Sequence, residues 1–431
     1  IYPDNVTFAF VLKACGSIGA QGKGQEIHTI LATGEMELDL LSGNSLIDMY
    51  VKCGMISNAH EAFNKLSTRD VASWTTLMTG FVEHHFNREA LDCFEKIPYD
   101  NISPDEIAYS CALKACGNSR AISKAEEIHA EIVIKGFEGD LAVSSTLVGM
   151  YVKCGLLVEA REVFDSLQVQ NVVLWNALIG GFVEHGLNED ALDCLQKMEH
   201  EGVSPHVVTF LCVLKACGSI GATDLGEGIH SNIVQRGLES DLIIGNTLVD
   251  LYAKCGLLLE ARYVFENLLD QDEVSWNTLL VGYSQIGESE NVFNLFQRMT
   301  EAGRKPDMVT LVSILNVCNH AGKVDEGHLY FEAMSKEYGI IPTPEHHTCL
   351  VDLLGRAGHV DSAVVLIKEM PFHPSATPWH TILGACRKWG DVELGKHAFA
   401  QAIGLSSTDV SAYVSMANIF ADAEMQISSL H

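Results

Sequence analysis

The chain has 431 residues, 47 % of them hydrophobic, with 10 prolines and a formal net charge of −28. That hydrophobic share supports a continuous buried core and speaks against disorder, and no uncharged apolar run reaches the length of a membrane-spanning helix. The acidity is spread along the chain, which excludes a broadly basic nucleic-acid-binding surface and leaves any phosphate contact to individual lysines.

The 13 cysteines include no C-x-x-C pair. They read as reduced, small core residues and give neither a disulfide framework nor a zinc site. Ile1-Tyr2-Pro3-Asp4 reads as the tail of a preceding repeat, so the chain is expected to be a fragment.

From Asn5 onward the landmarks recur every 101 residues: Cys15, Cys116, Cys217 and Cys318; His28, His129 and His230; Cys53, Cys154 and Cys255; Trp74, Trp175 and Trp276. A fixed period of this kind is the signature of a repeat array. The 101-residue unit divides into segments of 35, 31 and 35 residues, here called long, short and standard. In chain order the segments are 5–39, 40–70, 71–105, 106–140, 141–171, 172–206, 207–241, 242–272, 273–307, 308–343 and 344–375. Divergent segments follow at 376–409 and 410–425, and 426–431 fits no repeat.

Each segment reads as two helices. Segment 40–70 places Leu46, Ile47, Met49 and Tyr50 on the first and Ala59, Ala62, Phe63 and Leu66 on the second, at helical spacing. Gly54 suits the left-handed position after the first helix. Pro104-Asp105 and Pro306-Asp307 are expected to stop the second helix and open the next hairpin. A single hairpin cannot bury its apolar stripe, but stacked hairpins can, so the fold class is all-α: an α-solenoid of helix-turn-helix repeats.

The strings V-V-L-W-N-A-L-I-G-G-F-V-E-H-G (172–186), N-T-L-V-D-L-Y-A-K-C-G (246–256) and V-L-K-A-C-G-S-I-G-A (213–222) resemble the pentatricopeptide repeat family of plants. The long, short and standard alternation is similar to its subclass linked to organellar RNA editing. Pro344-Glu345-His346, Val351 to Gly358, Trp379 and Leu383 to Arg387 look like a last short repeat followed by that subclass's extension motifs at 376–409 and 410–425. The resemblance implies a right-handed superhelix that binds single-stranded organellar RNA, in a mitochondrion or chloroplast, without a cofactor, membrane or small-molecule substrate. The tetratricopeptide repeat, a protein binder with a steady period of 34, is the nearest rival.

The resemblance also implies that the fifth and last residues of each segment face one base. An ionised Asp only accepts hydrogen bonds and suits the N–H of U or G, whereas Asn can donate to A or C. On that pattern Asn44 with Asp70 reads U, Thr75 with Asp105 reads G, and Ser145 with Asn171 reads A. Asn246 with Asp272 and Asn277 with Asp307 read U, Asn176 with His206 reads a pyrimidine, Ser110 with Asp140 a purine, and Thr348 with Ser375 a purine. The expected target is 5′-N-U-G-(G)-A-Y-N-U-U-N-R-3′. Aliphatic second residues (Leu41, Val173, Ile243, Val274) would sit between bases or pack between repeats. Lys52, Lys153 and Lys254 would meet phosphates or simply end their helices. The three Trp are expected in the core, and the three His on second helices, as packing residues.

Relatives in the family end in a zinc deaminase domain that needs H-x-E and P-C-x-x-C. His129-Ala130-Glu131 matches the first part only by its place in the repeat. The chain is therefore expected not to be an enzyme, and to recruit a deaminase-bearing protein or editing accessory factor in trans. Roles in RNA stability, splicing or translation, and a protein-binding scaffold, stand as alternatives.

Overall fold

The computed structural model describes residues 3–33, 39–167 and 169–429. The expected tails therefore lie partly outside it, at 1–2 and 430–431. The described residues form 25 α-helices and two 3-10 turns, Ile97–Asp100 and Phe137–Gly139. Contacts divide the chain into two compact units, 1–216 and 217–431.

In the first unit the first helices Asn5–Ser17, Leu40–Lys52, Val71–Glu83, Glu106–Ser119, Leu141–Cys154 and Val172–Glu184 pack each against the next. The second helices Gln21–Thr33, Ile56–Asn64, Asn87–Lys96, Ile122–Lys135, Leu157–Ser166 and Asn188–His200 close the hairpins. The second unit repeats the plan. Its first helices are Leu242–Lys254, Glu273–Ile286, Met308–Ala321, Pro344–Arg356, Ala376–Trp389 and Val410–Ser429. The last of these continues past Met425, where the repeat pattern of the sequence stops.

An acidic or amide residue opens most first helices. Asp39, Asp70, Asp105, Asp140, Asn171, Asp241, Asp272 and Asp307 each accept a backbone N–H from the first turn. Such a cap satisfies one of the N–H groups a helix start leaves unbonded. At the other end Gly155 turns at φ 77, the left-handed conformation a glycine adopts without penalty. The second helix Ser289–Glu301 ends ahead of Pro306, with Gly303 at φ 75, so that proline opens the turn into the next segment but does not terminate the helix.

The core lies between hairpins. Trp74, Trp175 and Trp276 are buried edge-on against Phe63, Phe164 and Phe265 of the preceding second helix, with centroids 4.6, 4.5 and 4.8 Å apart. His28, His129 and His230 meet the hydroxyls of Tyr50, Tyr151 and Tyr252 at 2.6, 2.7 and 2.8 Å, tying each long segment to the short one after it. Burial lowers the pKa of all three His. The cysteines are free thiols, and burial pushes those of Cys116 and Cys386 up to about 12, so they pack as inert groups.

Candidate functional site

The residue at the end of each segment is also the cap of the next first helix, and this fixes its geometry. Asp307 takes the Thr310 N–H on Oδ1 at 2.9 Å, which leaves Oδ2 free to accept the Asn277 amide, also at 2.9 Å. Asn44 donates to Asp70 at 3.2 Å and Asn246 to Asp272 at 3.3 Å. Asn176 meets the exposed His206 ring at 3.3 Å. The structure thus brings together all four Asn-bearing fifth and last residues.

The hydroxyl-bearing positions behave differently. Thr75 is buried and donates to Ala72 O at 3.3 Å, Ser145 donates to Leu141 O at 2.6 Å, and Thr348 to Pro344 O at 2.8 Å. Their partners Asp105 and Asn171 cap helices, and Ser375 is exposed at a helix start. Ser110 lines a cavity of about 330 Å³, while Asp140 caps the next helix through the Ala142 and Val143 N–H groups. A side chain that ends one bond after Cβ folds back on its own helix; an amide reaches across.

Burial alone would raise the Asp70 pKa, but hydrogen bonds from the Ser73 hydroxyl, the Ser73 N–H and Asn44 outweigh it and hold the carboxyl below its ordinary value. Asp272 is held down in the same way against its burial, by the N–H and hydroxyl of Ser275 and by Asn246. Both stay ionised acceptors.

The second residues are open. Leu41, Val173, Ile243 and Val274 are 46, 55, 63 and 57 % exposed, and the same position in the long segments (Val6, Ile107, Val208, Val309) is exposed as well. Single exposed aliphatics are ordinary, but a series at the second residue of successive segments, three residues before each Asn of the polar pairs, marks a contact surface in each unit.

Of the three lysines singled out by sequence, Lys52 pairs with Asp48 at 2.8 Å and Lys254 with Asp250 at 2.7 Å. Lys153 donates to the neutral amide oxygen of Asn118 at 2.9 Å and keeps its charge unmatched by that partner. Sequence reasoning missed Lys13, which lines a cavity of about 410 Å³ with Leu41, Asn44 and Asp70, and its counterpart Lys114 beside Ser110. The signal was present: both lie in the same 101-residue spacing as the cysteines. It also missed His380, whose Nε2 lies 2.7 Å from Asp409, the fifth and last residues of segment 376–409.

Models of the PPR repeat family match residues 170–219 and 271–320, and the PPR repeat matches 44–71, 72–102, 143–172, 246–272 and 345–373. Among Arabidopsis thaliana proteins, the chain is 35 % identical to pentatricopeptide repeat-containing protein At2g03880, mitochondrial, over 98 % of its own length and 66 % of that protein's. It is 34 % identical to At2g13600 over 96 % and 65 %, and 37 % identical to At4g38010 over 97 % and 75 %. The chain thus spans just under two thirds of the first two. Among solved structures, PPR10 from maize covers 99 % of the chain with 74 % of its own length, at 17 % identity and a TM-score of 0.59. PPR10 in complex with an 18-nt psaJ RNA element covers 98 % with 72 %, at 15 % identity and a TM-score of 0.75, a likeness of fold. With relatives of this identity along almost its whole length, the chain belongs to the pentatricopeptide repeat family.

Proposed function

We propose that the chain binds single-stranded RNA base by base, its fifth and last residues reading successive Watson–Crick edges, and that it recognises sites for C-to-U editing in a mitochondrion or chloroplast. The observation that carries this reading is the set of Asn–Asp and Asn–His pairs at the fifth and last positions, each a few residues from an aliphatic second residue. Asp70 and Asp272, ionised, accept only, which suits the N–H of U or G. The exposed second residues fit between bases, where they exclude water from the reading edges. The PPR10 structure whose RNA is an 18-nt element supports the same use of the fold.

The editing role rests on the long, short and standard alternation and on segments 376–409 and 410–425 as extension motifs of that subclass. No C-x-x-C pair occurs within these residues, so the deamination is assigned to a partner protein or to a further domain. Lys153, together with Lys13 and Lys114, makes the better phosphate contacts; Lys52 and Lys254 would first have to leave their aspartates.

Selection of bound sequences from a random single-stranded RNA pool tests the reading. Enrichment of U, G, A and U-U in the order 5′-N-U-G-(G)-A-Y-N-U-U-N-R-3′ is expected, and no enrichment at low salt overturns it. One observation favours a second reading, a protein-binding scaffold: a net charge of −28 with two of the three short-segment lysines already matched by aspartates. A salt titration separates the two, because RNA affinity falls as salt rises and a scaffold has none to lose.

A further inference from the structure

Each Asn of the candidate site is accompanied by a buried hydroxyl from the third residue of the following segment. In segment 273–307 the Thr310 Oγ1 makes its shortest contact as donor to Asn277 Oδ1 at 2.6 Å, lies 3.0 Å from Asp307 Oδ1, and accepts the Asp307 N–H at 3.1 Å. In 172–206 the Thr209 Oγ1 donates to Asn176 Oδ1 at 2.7 Å and accepts the His206 N–H at 3.1 Å. Both threonines are fully buried. After the short segments 40–70 and 242–272, Ser73 and Ser275 occupy the same place, also fully buried, but donate to the carboxylate: Ser73 to Asp70 at 2.7 Å and Ser275 to Asp272 at 2.9 Å. There the Oδ1 atoms of Asn44 and Asn246 are buried without a partner.

The hydroxyl follows the Asn along the chain. Asn44, Asn176, Asn246 and Asn277 are followed by Ser73, Thr209, Ser275 and Thr310. Where the fifth residue is Thr75, Ser110, Ser145 or Leu211, the third residue of the next segment is Ala108, Val143, Leu174 or Ile244. Ser42, after Ala9, is the exception, and it bonds only to Asp39. A side-chain amide has two orientations of nearly equal shape that exchange its donor and its acceptor. A buried O–H directed at one end selects between them.

We infer that Thr310 and Thr209 are positioning residues of the Asn277 and Asn176 readers: by donating to Oδ1 they turn Nδ2 toward the last residue and leave its second N–H for a base. The serines that follow the short segments orient the carboxylate instead, so Asn44 and Asn246 are held from one side only. Base choice at an Asn-bearing segment therefore depends on three residues, the third belonging to the next repeat. This rests on the base-reading function proposed above, and it deepens that reading.

The test compares the wild-type chain with Thr310→Val and Thr310→Ser on RNAs that differ only at the nucleotide facing segment 273–307. Thr310→Val keeps the side-chain shape and removes the hydroxyl. It should cost about five- to tenfold of the preference for U at that nucleotide, the size of one hydrogen bond, and leave the other nucleotides alone. Thr310→Ser puts here the residue that turns to the carboxylate at positions 73 and 275, and its preference should fall between those of the wild-type chain and Thr310→Val. A gain-of-function pair makes the converse case: Thr75→Asn with Ala108→Thr should confer pyrimidine preference at its nucleotide, and Thr75→Asn alone a weaker one. Hydrogen exchange across the helix Met308–Ala321 establishes that the variants are folded. If Thr310→Val retains wild-type selectivity, or all nucleotides weaken together as for a purely structural cap, the positioning role is overturned and base reading stands. If the wild-type chain itself shows no preference at that nucleotide, base reading by Asn277 and Asp307 falls, and the positioning role with it.

Discussion

Segments 273–307 and 71–105 have the same length and the same Trp-on-Phe packing, yet they hold their fifth and last residues in opposite ways. Asn277 reaches Asp307, whereas Thr75 bonds back to its own helix and Asp105 caps the next one through the Ala108 N–H at 2.8 Å. The last residue therefore has a structural task in both segments and a second task in one. Asp307 separates the two tasks between its oxygens: Oδ1 serves the helix start and Oδ2 the Asn. Asp307 can hold the helix start and the Asn at once because a carboxylate has two acceptor atoms.

The largest expected contrast follows from that division. Asp105→Ala removes a helix cap and should cost about 1 kcal/mol. Asp307→Ala removes the cap and also strands a buried amide, which should bring the loss to about 2–3 kcal/mol. Hydrogen exchange reads the two locally, in the helices Glu106–Ser119 and Met308–Ala321, as is needed in a repeat array that can open piecewise. Equal losses would erase the distinction between the segments. Next in size is base choice. Asn277→Thr gives segment 273–307 the fifth residue of segment 71–105, and should move its preference from U toward G by roughly tenfold, about 1.4 kcal/mol, without moving other positions. A preference that stays at U would show that the fifth residue does not read.

Much of this was legible in the sequence because the period repeats each signal several times. The 101-residue spacing located the hairpins, the Trp in the core and the glycine after the first helix without knowledge of any contact. The pairing of Asn with the last residue needed family resemblance, since 26 or 30 residues separate the partners. What stayed hidden depends on reach and on partners outside the segment. Asp48 and Asp250, one helical turn before Lys52 and Lys254, were a legible i,i+4 signal that their charge would be matched, and this was missed. The third-residue hydroxyl was missed because each segment was read by itself, and Thr310 belongs to the repeat after the Asn it bonds.

Sister standard segments sharpen the comparison at lower energy. His85 has φ 65 at the end of its first helix, where segment 172–206 has Gly186 at φ 76. His85→Gly should relieve left-handed strain and stabilise the hairpin by up to about 1 kcal/mol, a gain reduced by the greater freedom of glycine in the unfolded chain. Slower hydrogen exchange in Val71–Glu83 would register it, and no change would mean that the turn tolerates a side chain without strain.

The smallest effect separates the serine-held pairs from the threonine-held ones. Asp70 is held below the ordinary 3.8 although burial pushes it up, with Ser73 contributing more than Asn44 to the opposing bonds. A depressed carboxyl contributes stability that is complete above its unfolded value and is lost as pH falls through the folded one. The cost of Ser73→Ala or of Asn44→Ala should therefore be full near neutrality and shrink as the solution is acidified below 3.8. A carboxyl titration by NMR should show the Asp70 pKa rising in both variants, and further in Ser73→Ala. The opposite order would make Asn44 the principal clamp on Asp70, and the short segments would then hold their Asn and Asp as firmly as segment 273–307 does.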